Sequence, residues 1–194
     1  RHKIITTHEL KDKRFISNPV NRCYFCKDEL FSRLKSLAAD SGLNFLIDAS
    51  NISDKSDFRP GALAKRKLKV RSPLQEAGLT KKDIRFFSRK MGLPTWDKPA
   101  LACLASRIPY GTKISPRLLR RINKAECFLR ALGFRQVRAR DYGNFCRIEV
   151  LKKELPRLLN IRNQIIDKFK KLGYNYVTLD LEGYRTGSLN EAIK

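Results

Sequence analysis

The chain has 194 residues and an apolar fraction of 42%, enough for a buried core in one large domain or two small ones. Its 42 lysines and arginines against 19 acidic residues give a net charge of +23. This charge favours nucleic acid or a phosphate-bearing small molecule as partner, although a solvated basic surface would look the same. No apolar run approaches the roughly 20 residues that cross a bilayer, and RHKIITTHEL is not a targeting sequence, so we expect a cytoplasmic protein without membrane contact.

The first half of the chain predicts helices with a strand between them. Leu30, Leu34 and Leu37 recur at helical spacing after two acidic residues, which predicts a helix of about three turns ending before Gly42. The run NFLIDAS predicts a buried strand, and the polar loop NISDKSDFRPG leaves its carboxyl end, the edge where open α/β sheets bind ligands. A further helix is expected after Thr80, whose hydroxyl can serve as the N-cap.

The second half predicts a small two-layer domain. The proline-rich stretch GLPTWDKPALACLASRIPYG separates the halves, and we set the boundary between residues 108 and 109. Beyond it, Ser115 and Pro116 form an N-cap and first-turn pair for a helix that ends at Gly133. FRQVRARDYGNFCRIEV predicts a hairpin turning at Gly143, and a second helix precedes the last strand, YVTLDLE. The order is therefore α-β-β-α-β, and the whole chain is of the α/β class.

The five cysteines are an odd number for a disulfide framework, so thiols or metal ligands are the better interpretations. Cys23 and Cys26 form a Cys-x-x-Cys pair, which can hold zinc, hold an iron–sulfur cluster, cycle as a dithiol or have no chemistry at all. Cys103 lies in ALACLASR next to a hydroxyl and a cation, and a nearby cation lowers the pKa of a thiol. The three thiolates together are one ligand short of a closed site and would leave one metal position open.

Strand alternation divides the predicted hairpin into two faces. Arg138 and Arg140 share one face of the first strand, and Arg147 and Glu149 share one face of the second. Cys146 alternates with these residues and falls among apolar ones, which predicts a core thiol. Three arginines beside a glutamate favour an anion site, although an exposed ladder of ion pairs would have the same pattern.

Five separated motifs follow one another along the chain: NRCYFCKDELF, FRPGALA, VRSPLQEAGLTKKDIR, GLPTWDKPALACLASRIPYGTKI and LDLEGYRTGSLN. Together they resemble the LarE-like, ATP-dependent sulfur transferases of the PP-loop family across essentially the whole chain. Members carry an N-terminal phosphate loop of the SGGxDS kind, which this sequence lacks, and the abrupt start at HKIITTHEL fits a missing N-terminal portion. The resemblance implies that residues 1–108 are the C-terminal part of a PP-loop parallel-sheet domain. Residues 109–194 are then a small α+β domain for substrate binding or oligomerisation.

The resemblance also implies a reaction. Such enzymes use ATP with Mg²⁺ to adenylate a carboxylate of a pyridinium dicarboxylate mononucleotide, and sulfur then replaces the activated oxygen, giving a thiocarboxylate for a nickel-pincer cofactor. In one branch a single cysteine, at the position of Cys103, gives up its own sulfur. In the other branch three cysteines hold a 4Fe-4S cluster that carries sulfide, and Cys23, Cys26 and Cys103 assign this sequence to that branch. We expect a homo-oligomer that uses sulfide or another sulfur donor and a phosphate-bearing acceptor.

Further site residues follow from matching positions in the motifs. The resemblance implies that Arg138 and Arg140 bind the phosphate of the acceptor. The other polar positions matched to substrate binding are Ser106, Glu126, Glu149 and Arg185. The nucleotide is expected in the loop that follows the strand NFLIDAS, at Asn51, Asp54 and Arg59.

Two rival interpretations fit parts of the sequence. A related cluster enzyme that thiolates transfer RNA would also use three cysteines, and a net charge of +23 suits RNA, although the LDLEGYRTGS terminus argues against it. A zinc-holding, nucleic-acid-binding module without catalysis would need a fourth ligand. Neither His2 nor His8 has a spacing that completes such a site.

Overall fold

The computed structural model of the protein describes residues 2–54, 59–99 and 101–193, with side chains to residue 191. The chain divides into two units, Arg1–Lys98 (unit 1) and Pro99–Lys194 (unit 2). The division falls in the same proline-rich stretch as the boundary expected at 108/109, but before it. Helices and a three-stranded sheet make the chain α/β, as the sequence predicts. Among the described residues, no helix is both long and apolar enough to cross a membrane.

Unit 1 is built mainly from helices. Their bounds are Lys13–Ile16 (α1), Arg22–Asp40 (α2), Gly61–Lys67 (α3), Pro73–Glu76 (α4) and Lys81–Lys90 (α5). The long helix α2 packs against α1 and α3, and Phe15, Phe31 and Ala64 are buried in this unit. One 3-10 turn, Glu9–Lys11, precedes α1, and another, Ile52–Asp54, lies between α2 and α3.

Helix α2 begins earlier than the sequence predicts. The peptide N–H of Arg22 donates to the carbonyl oxygen of Pro19 at 3.0 Å, so a turn leads directly into the helix. The acidic residues that suggested a later start each contribute only about 0.3–1 kcal/mol near a helix N-terminus, which is too little to set a boundary. No glycine or proline interrupts the sequence between Arg22 and Leu30. Cys23 and Cys26 therefore lie inside α2 rather than ahead of it.

The prediction of a buried strand at NFLIDAS is wrong. Residues 44–50 make one parallel bridge, between Ile47 and Arg71, held by two backbone hydrogen bonds of 2.9 Å each. The side chains of Phe45 and Ile47 are 66% and 61% exposed. An apolar run becomes a buried parallel strand only where neighbouring strands and helices cover it, and the described part of unit 1 offers this segment one bridge.

The start of α5 confirms the predicted cap. The hydroxyl of Thr80 accepts from the peptide N–H of Asp83 at 3.3 Å, and a carboxylate oxygen of Asp83 accepts from the peptide N–H of Thr80 at 2.8 Å. This reciprocal pair satisfies two donors at the helix start. The apolar side chains of Phe87 and Met91, in and just after this helix, are 47% and 73% exposed.

Unit 2 has the predicted α-β-β-α-β order, except that two helices instead of one lie between its second and third strands. Its helices are Pro116–Ala131 (α6), Leu155–Asn160 (α7) and Arg162–Lys171 (α8), and its strands are Val137–Asp141 (β1), Phe145–Val150 (β2) and Tyr176–Leu179 (β3). The sheet order is β1-β2-β3, with β1 and β2 antiparallel and β2 and β3 parallel. The core lies between one face of the sheet and the helices α6 and α8, where Leu129, Ile148 and Phe169 are at most 1% exposed.

Local signals set the ends of these elements as the sequence predicts. The hydroxyl of Ser115 accepts from the peptide N–H of Leu118 at 3.3 Å, and Pro116 occupies the first turn of α6. Gly133 ends that helix and Gly143 turns the hairpin, with φ angles of 89° and 82°. Residues with a Cβ rarely adopt such angles, so both turns depend on glycine.

Candidate functional site

The face of the unit 2 sheet opposite the apolar core carries charged side chains. The register of β1 and β2 pairs Arg138 with Glu149 and Arg140 with Arg147. Arg138 and Arg140 are only 4% and 5% exposed, and Glu149 is 0% exposed. These residues therefore form a buried charged layer and not a solvent-exposed ladder. Buried charges are stable only when they are paired and hydrogen-bonded, so the hydrogen-bond partners of these residues indicate which ligand the layer can bind.

Arg140 contacts three different partners in and beside this charged layer. Its Nε and Nη2 donate to the two carboxylate oxygens of Glu149 at 2.8 and 2.9 Å, a bidentate pair. Nη2 also donates to the hydroxyl of Ser188 at 2.6 Å, and Nη1 donates to the carbonyl oxygen of Ser106 at 2.6 Å. Arg140 thereby joins the sheet to the 3-10 turn Leu104–Arg107 and to the C-terminal motif LDLEGYRTGSLN.

Arg138 lies beside other cations. Its Nη1 donates to the carbonyl oxygen of Val137 at 2.7 Å, and its guanidinium carbon is 5.0 Å from the centre of the Tyr184 ring. Burial and the nearby charge of Arg107 lower the pKa of Arg138, although a guanidinium stays protonated at neutral pH. An anion bound beside Arg138 would relieve the repulsion between these cations. The layer is therefore electrostatically suited to an anionic ligand.

Two arginines with partial exposure share the carboxylate of Asp180 at the edge of the layer. Nε of Arg147 is 3.5 Å from one oxygen of Asp180, and Nη1 of Arg185 is 3.4 Å from the other. Arg185 also pairs with Glu191 at 3.1 Å and with Glu182 at 2.9 Å. The hydrogen bond with Glu191 raises the pKa of Arg185. The side chains of Arg147 and Arg185 are 31% and 27% exposed, so solutes can reach this edge.

Cys103 is the N-cap residue of the 3-10 turn Leu104–Arg107 and is exposed. Its carbonyl oxygen accepts three hydrogen bonds, from the peptide N–H of Ser106 at 3.0 Å, the hydroxyl of Ser106 at 2.7 Å and Nη1 of Arg107 at 3.0 Å. The backbone at Cys103 is thus fixed while the residue remains accessible. Because the carbonyl of Ser106 also bonds to Arg140, this turn (the Cys103 turn below) and the charged layer form one hydrogen-bonded assembly.

Cys23 and Cys26 occupy the first two turns of α2. Their spacing of three residues sets them next to each other on one helix face, where Cys23 is exposed and Cys26 is half-buried. Gly61, the first residue of α3, packs directly on this turn. A Cβ added to Gly61 would lie 3.2 Å from the carbonyl oxygen of Cys23. The glycine of the FRPGALA motif thus lets α3 approach the backbone that carries the cysteine pair.

The three cysteines of the predicted metal site are divided between the units. Cys23 and Cys26 belong to unit 1 and Cys103 to unit 2, and none of the five cysteines forms a disulfide. Within the part of the chain that the structure describes, no three His, Cys, Asp or Glu side chains are grouped as metal ligands. The convergence of these cysteines on one metal stays a prediction.

The loop predicted to hold nucleotide is organised around Asp54. One of its carboxylate oxygens accepts from the peptide N–H of Asn51 at 3.0 Å, and the other pairs with Arg59 at 2.8 Å. The side-chain oxygen of Asn51 is buried without a hydrogen-bond partner among the described residues. A cleft of about 540 Å³ adjoins this loop and is lined by Ser53, Thr80, Lys81, Lys82 and Arg85. Its three cations suit a ligand that carries phosphate.

No family model matches the sequence. Pyridinium-3,5-bisthiocarboxylic acid mononucleotide synthase of Lactiplantibacillus plantarum is 35% identical to the chain over 188 residues, which are 97% of this chain and 68% of the synthase. The chain belongs to the family of this synthase, the LarE family. An uncharacterized protein of Synechocystis is 42% identical over 99% of the chain and 72% of its own length. An uncharacterized protein of Methanocaldococcus jannaschii is 32% identical over 91% of the chain and 69% of its own length.

In this LarE family member, unit 2 contains every residue predicted to bind the acceptor. They are Ser106, Glu126, Arg138, Arg140, Glu149 and Arg185. Ser106, Arg140 and Glu149 are joined directly by hydrogen bonds, and Arg185 reaches the layer through Asp180 and Arg147. Their roles in binding the acceptor stay predictions.

Sequence reasoning missed two residues that complete the charged layer of this LarE family member, Asp180 and Ser188. Both follow strand β3 and lie far along the chain from the hairpin whose arginines they contact. The signal that could have found them is their position in LDLEGYRTGSLN, because a polar motif next to a predicted strand edge often supplies partners for charges on the sheet.

Proposed function

We propose that this LarE family member is an ATP-dependent sulfur transferase, which converts a carboxylate of a pyridinium dicarboxylate mononucleotide to a thiocarboxylate in nickel-pincer cofactor biosynthesis. Similarity to the Lactiplantibacillus plantarum synthase over 97% of the chain supports this class of reaction and acceptor. The structural observation that carries the proposal is the 2.6 Å hydrogen bond from Arg140 to the carbonyl oxygen of Ser106. It joins a basic layer suited to an anionic acceptor to the turn that presents Cys103.

The nucleotide is proposed to bind in a PP-loop-type domain of residues 1–108. A carboxylate does not react with sulfide until one of its oxygens becomes part of a leaving group, and transfer of AMP from ATP with Mg²⁺ supplies one. The buried side-chain oxygen of Asn51 can accept a hydrogen bond from the nucleotide, and Asp54 orients Arg59 through their 2.8 Å ion pair. The cations of the neighbouring cleft, which include Lys81 and Lys82, suit its phosphates.

Cys23, Cys26 and Cys103 are the residues proposed to hold a 4Fe-4S cluster. The chemistry of this donor set fits, because thiolates are the ligands of such clusters and two of these three cysteines are exposed. When bound there, the cluster supplies the sulfide that replaces the activated oxygen. Helix α2 fixes the spacing of Cys23 and Cys26, and three hydrogen bonds to its carbonyl oxygen fix the backbone of Cys103.

The phosphate of the acceptor is proposed to bind at Arg138 and Arg140. Burial and the nearby charge of Arg107 lower the pKa of Arg138, so an anion bound beside Arg138 would stabilise its charged form. The partly exposed Arg185 lies at the edge through which solutes reach the layer. Ser106, Glu126 and Glu149 complete the proposed set. A homo-oligomer in the cytoplasm, supplied with sulfide or another sulfur donor, would carry out the reaction.

A transfer assay tests the proposal. The full-length protein, prepared without oxygen, is given ATP, Mg²⁺, sulfide and the mononucleotide, and its iron and acid-labile sulfide are measured. Thiocarboxylate product that is lost in Cys23→Ser and Cys26→Ser is the expected result. Cys127→Ser is the matched control, because Cys127 is also exposed but has no proposed role. Full transfer by Cys23→Ser contradicts the proposed cluster, and a wild type that forms no thiocarboxylate contradicts the proposed reaction.

Transfer RNA is a second candidate acceptor because the chain carries a net charge of +23. The same assay with transfer RNA in place of the mononucleotide separates the two. Sulfur incorporated into transfer RNA, with none in the mononucleotide, would favour the second candidate. Sulfur in the mononucleotide alone is the result that the proposal predicts.

A further inference from the structure

Arg107 and Glu126 form an ion pair inside unit 2 that is almost completely shielded from water. Arg107 is 1% exposed and Glu126 is 0% exposed. Nε and Nη2 of Arg107 donate to the two carboxylate oxygens of Glu126 at 2.7 and 3.1 Å. Removing two charges from water is costly, and such a pair is stable only if further hydrogen bonds satisfy both groups. Arg107 makes its further hydrogen bonds with the Cys103 turn.

The remaining arm of Arg107 holds the backbone of the Cys103 turn. Nη1 donates to the carbonyl oxygens of Ala102 and Cys103 at 2.9 and 3.0 Å and lies 2.9 Å from the hydroxyl of Ser106. A guanidinium can do this because its planar fork directs Nε and Nη2 at a carboxylate while Nη1 points elsewhere. A lysine ammonium cannot satisfy the carboxylate and the turn in the same geometry.

Glu126 is itself attached to two elements of the fold. It lies on α6, and one of its oxygens accepts from the peptide N–H of Ala139 in β1 at 3.2 Å. The other oxygen accepts from Nη2 of Arg130 at 2.5 Å. Hydrogen bonds therefore connect β1 and α6 to the Cys103 turn through the carboxylate of Glu126 and the guanidinium of Arg107.

We propose that Arg107 and Glu126 are positioning residues for Cys103. A single 3-10 turn has few hydrogen bonds of its own, so a turn of this length depends on contacts with the rest of the fold to keep one conformation. Arg107, which is buried in this turn together with Ala105, makes such contacts through its side chain. The buried pair fixes the carbonyl groups of Ala102 and Cys103 and so holds the backbone at Cys103 in one conformation. In this account Glu126 serves the acceptor site indirectly, through the turn. The expected effect on sulfur transfer rests on the proposed function. The claim that the buried pair fixes the conformation of the turn does not depend on that function.

The test compares Arg107→Lys with Arg121→Lys. Arg121 is a matched control, because this arginine of α6 also makes a bidentate pair with a carboxylate, that of Asp141 in β1, at 2.8 and 2.7 Å. Its bidentate pair does not involve the Cys103 turn. Hydrogen exchange is measured on the peptide N–H groups of residues 104–108 in the reduced, metal-free, full-length protein. We expect exchange there to speed up by about tenfold in Arg107→Lys and to stay near wild type in Arg121→Lys.

Kinetics provide the second readout. In Arg107→Lys, kcat for sulfur transfer should fall by about tenfold or more while KM for the acceptor changes little, since the acceptor contacts are retained. Glu126→Gln, whose amide has the same size, is the second variant if Arg107→Lys does not fold. Its readout is the exchange of residues 104–108 and not KM, because Glu126 also belongs to the proposed acceptor site. Unchanged exchange in both variants, or equal acceleration in Arg121→Lys, overturns the proposal. If the wild type transfers no sulfur, the proposed function fails while the exchange result still decides the positioning role.

Discussion

At the scale of single residues, the buried charges of unit 2 have nearly every hydrogen-bonding group in use. Arg140, for example, donates hydrogen bonds to Glu149, to the hydroxyl of Ser188 and to the carbonyl oxygen of Ser106. Deleting one partner leaves the others buried and unsatisfied, at a cost of about 1–3 kcal/mol for each orphaned group and more for a charge. For each substitution in this layer, the stability of the variant therefore has to be measured together with its binding affinity.

Arg138→Ala is predicted to weaken binding of the mononucleotide by roughly 1.5–3 kcal/mol, the usual contribution of a charge-assisted contact to phosphate. Isothermal titration without ATP measures it. Arg117→Ala is the control, because Arg117 is an exposed arginine on α6 of the same unit. Unchanged affinity in an Arg138→Ala protein that melts like the wild type would remove Arg138 from the acceptor site.

Cys146 is predicted to resist alkylation in the folded protein. It is 0% exposed, and burial, with the nearby charge of Asp141, raises the pKa of its thiol well above the ordinary value. Peptide mass spectrometry after brief treatment with iodoacetamide at pH 8 should find Cys127 modified and Cys146 intact. Comparable modification of both cysteines in protein that remains folded would show that Cys146 is not in a closed core.

Alternation along the hairpin was enough to predict which charges share a face and that Cys146 lies in the core. It could not predict that the charged face is buried. That burial depends on Asp180 and Ser188, which follow the last strand, and on Ser106, which precedes α6. Such partners meet only through tertiary structure, so a period of two within a strand carries no information about them.

At the scale of elements, the contact between α2 and α3 determines how the cysteine pair is held. We predict that Gly61→Ala destabilises the protein by about 1–3 kcal/mol, because the new methyl group would press on the backbone carbonyl of Cys23 at 3.2 Å. The same change should alter the alkylation rate of Cys23. Urea unfolding and timed alkylation measure the two effects.

Gly42→Ala gives the contrast for that prediction. Gly42 has open space around its Cβ position but a φ of +65°, so the substitution strains the end of α2 without touching the cysteine pair. It should lower stability and leave the alkylation rate of Cys23 unchanged. Equal effects of both substitutions on Cys23 would mean that general loosening of unit 1, and not the Gly61 contact, is responsible.

The bridge between residues 47 and 71 carries a polar network that predicts acid sensitivity. Burial alone would raise the pKa of Asp48, but hydrogen bonds from Ser72, Ser50 and Lys65 outweigh it and hold the pKa below the ordinary value of 3.8. A carboxyl whose pKa is depressed by folding contributes stability above its unfolded pKa. That contribution is lost as pH falls through the lower folded pKa.

Asp48→Asn should therefore lower the free energy of unfolding at neutral pH, and the difference from wild type should shrink below about pH 4. Urea unfolding of both proteins across this range measures the difference. Asp167→Asn is the control, because Asp167 is exposed on α8. A difference between Asp48→Asn and wild type that does not vary with pH would contradict this role for Asp48.

Most elements were predictable where a local signal sets them. The cap at Thr80, the cap at Ser115 and the glycine turn at Gly143 are all as expected, because each depends on residues within one turn of chain. NFLIDAS failed for the opposite reason. Its apolar pattern describes what the segment could bury, but burial needs covering elements, and Phe45 and Ile47 are exposed in the described structure.

At the scale of the whole molecule, the proposed chemistry is divided between the two units. Unit 1 contains Cys23, Cys26 and the loop of Asn51, whereas unit 2 contains Cys103 and the charged layer. Neither unit holds all three cysteines, so a shared cluster requires both. The chain spans 68% of the length of the Lactiplantibacillus plantarum synthase.

The fate of Cys103 during turnover tests the central claim most directly. The full-length protein with its cluster rebuilt is supplied with ATP, Mg²⁺, sulfide and mononucleotide, and both the product and the mass of the Cys103 peptide are followed. We predict many thiocarboxylates per chain and an unchanged Cys103. No more than one thiocarboxylate per chain, with Cys103 converted to dehydroalanine because its sulfur has passed into the product and with Cys23→Ala still active, would contradict the account.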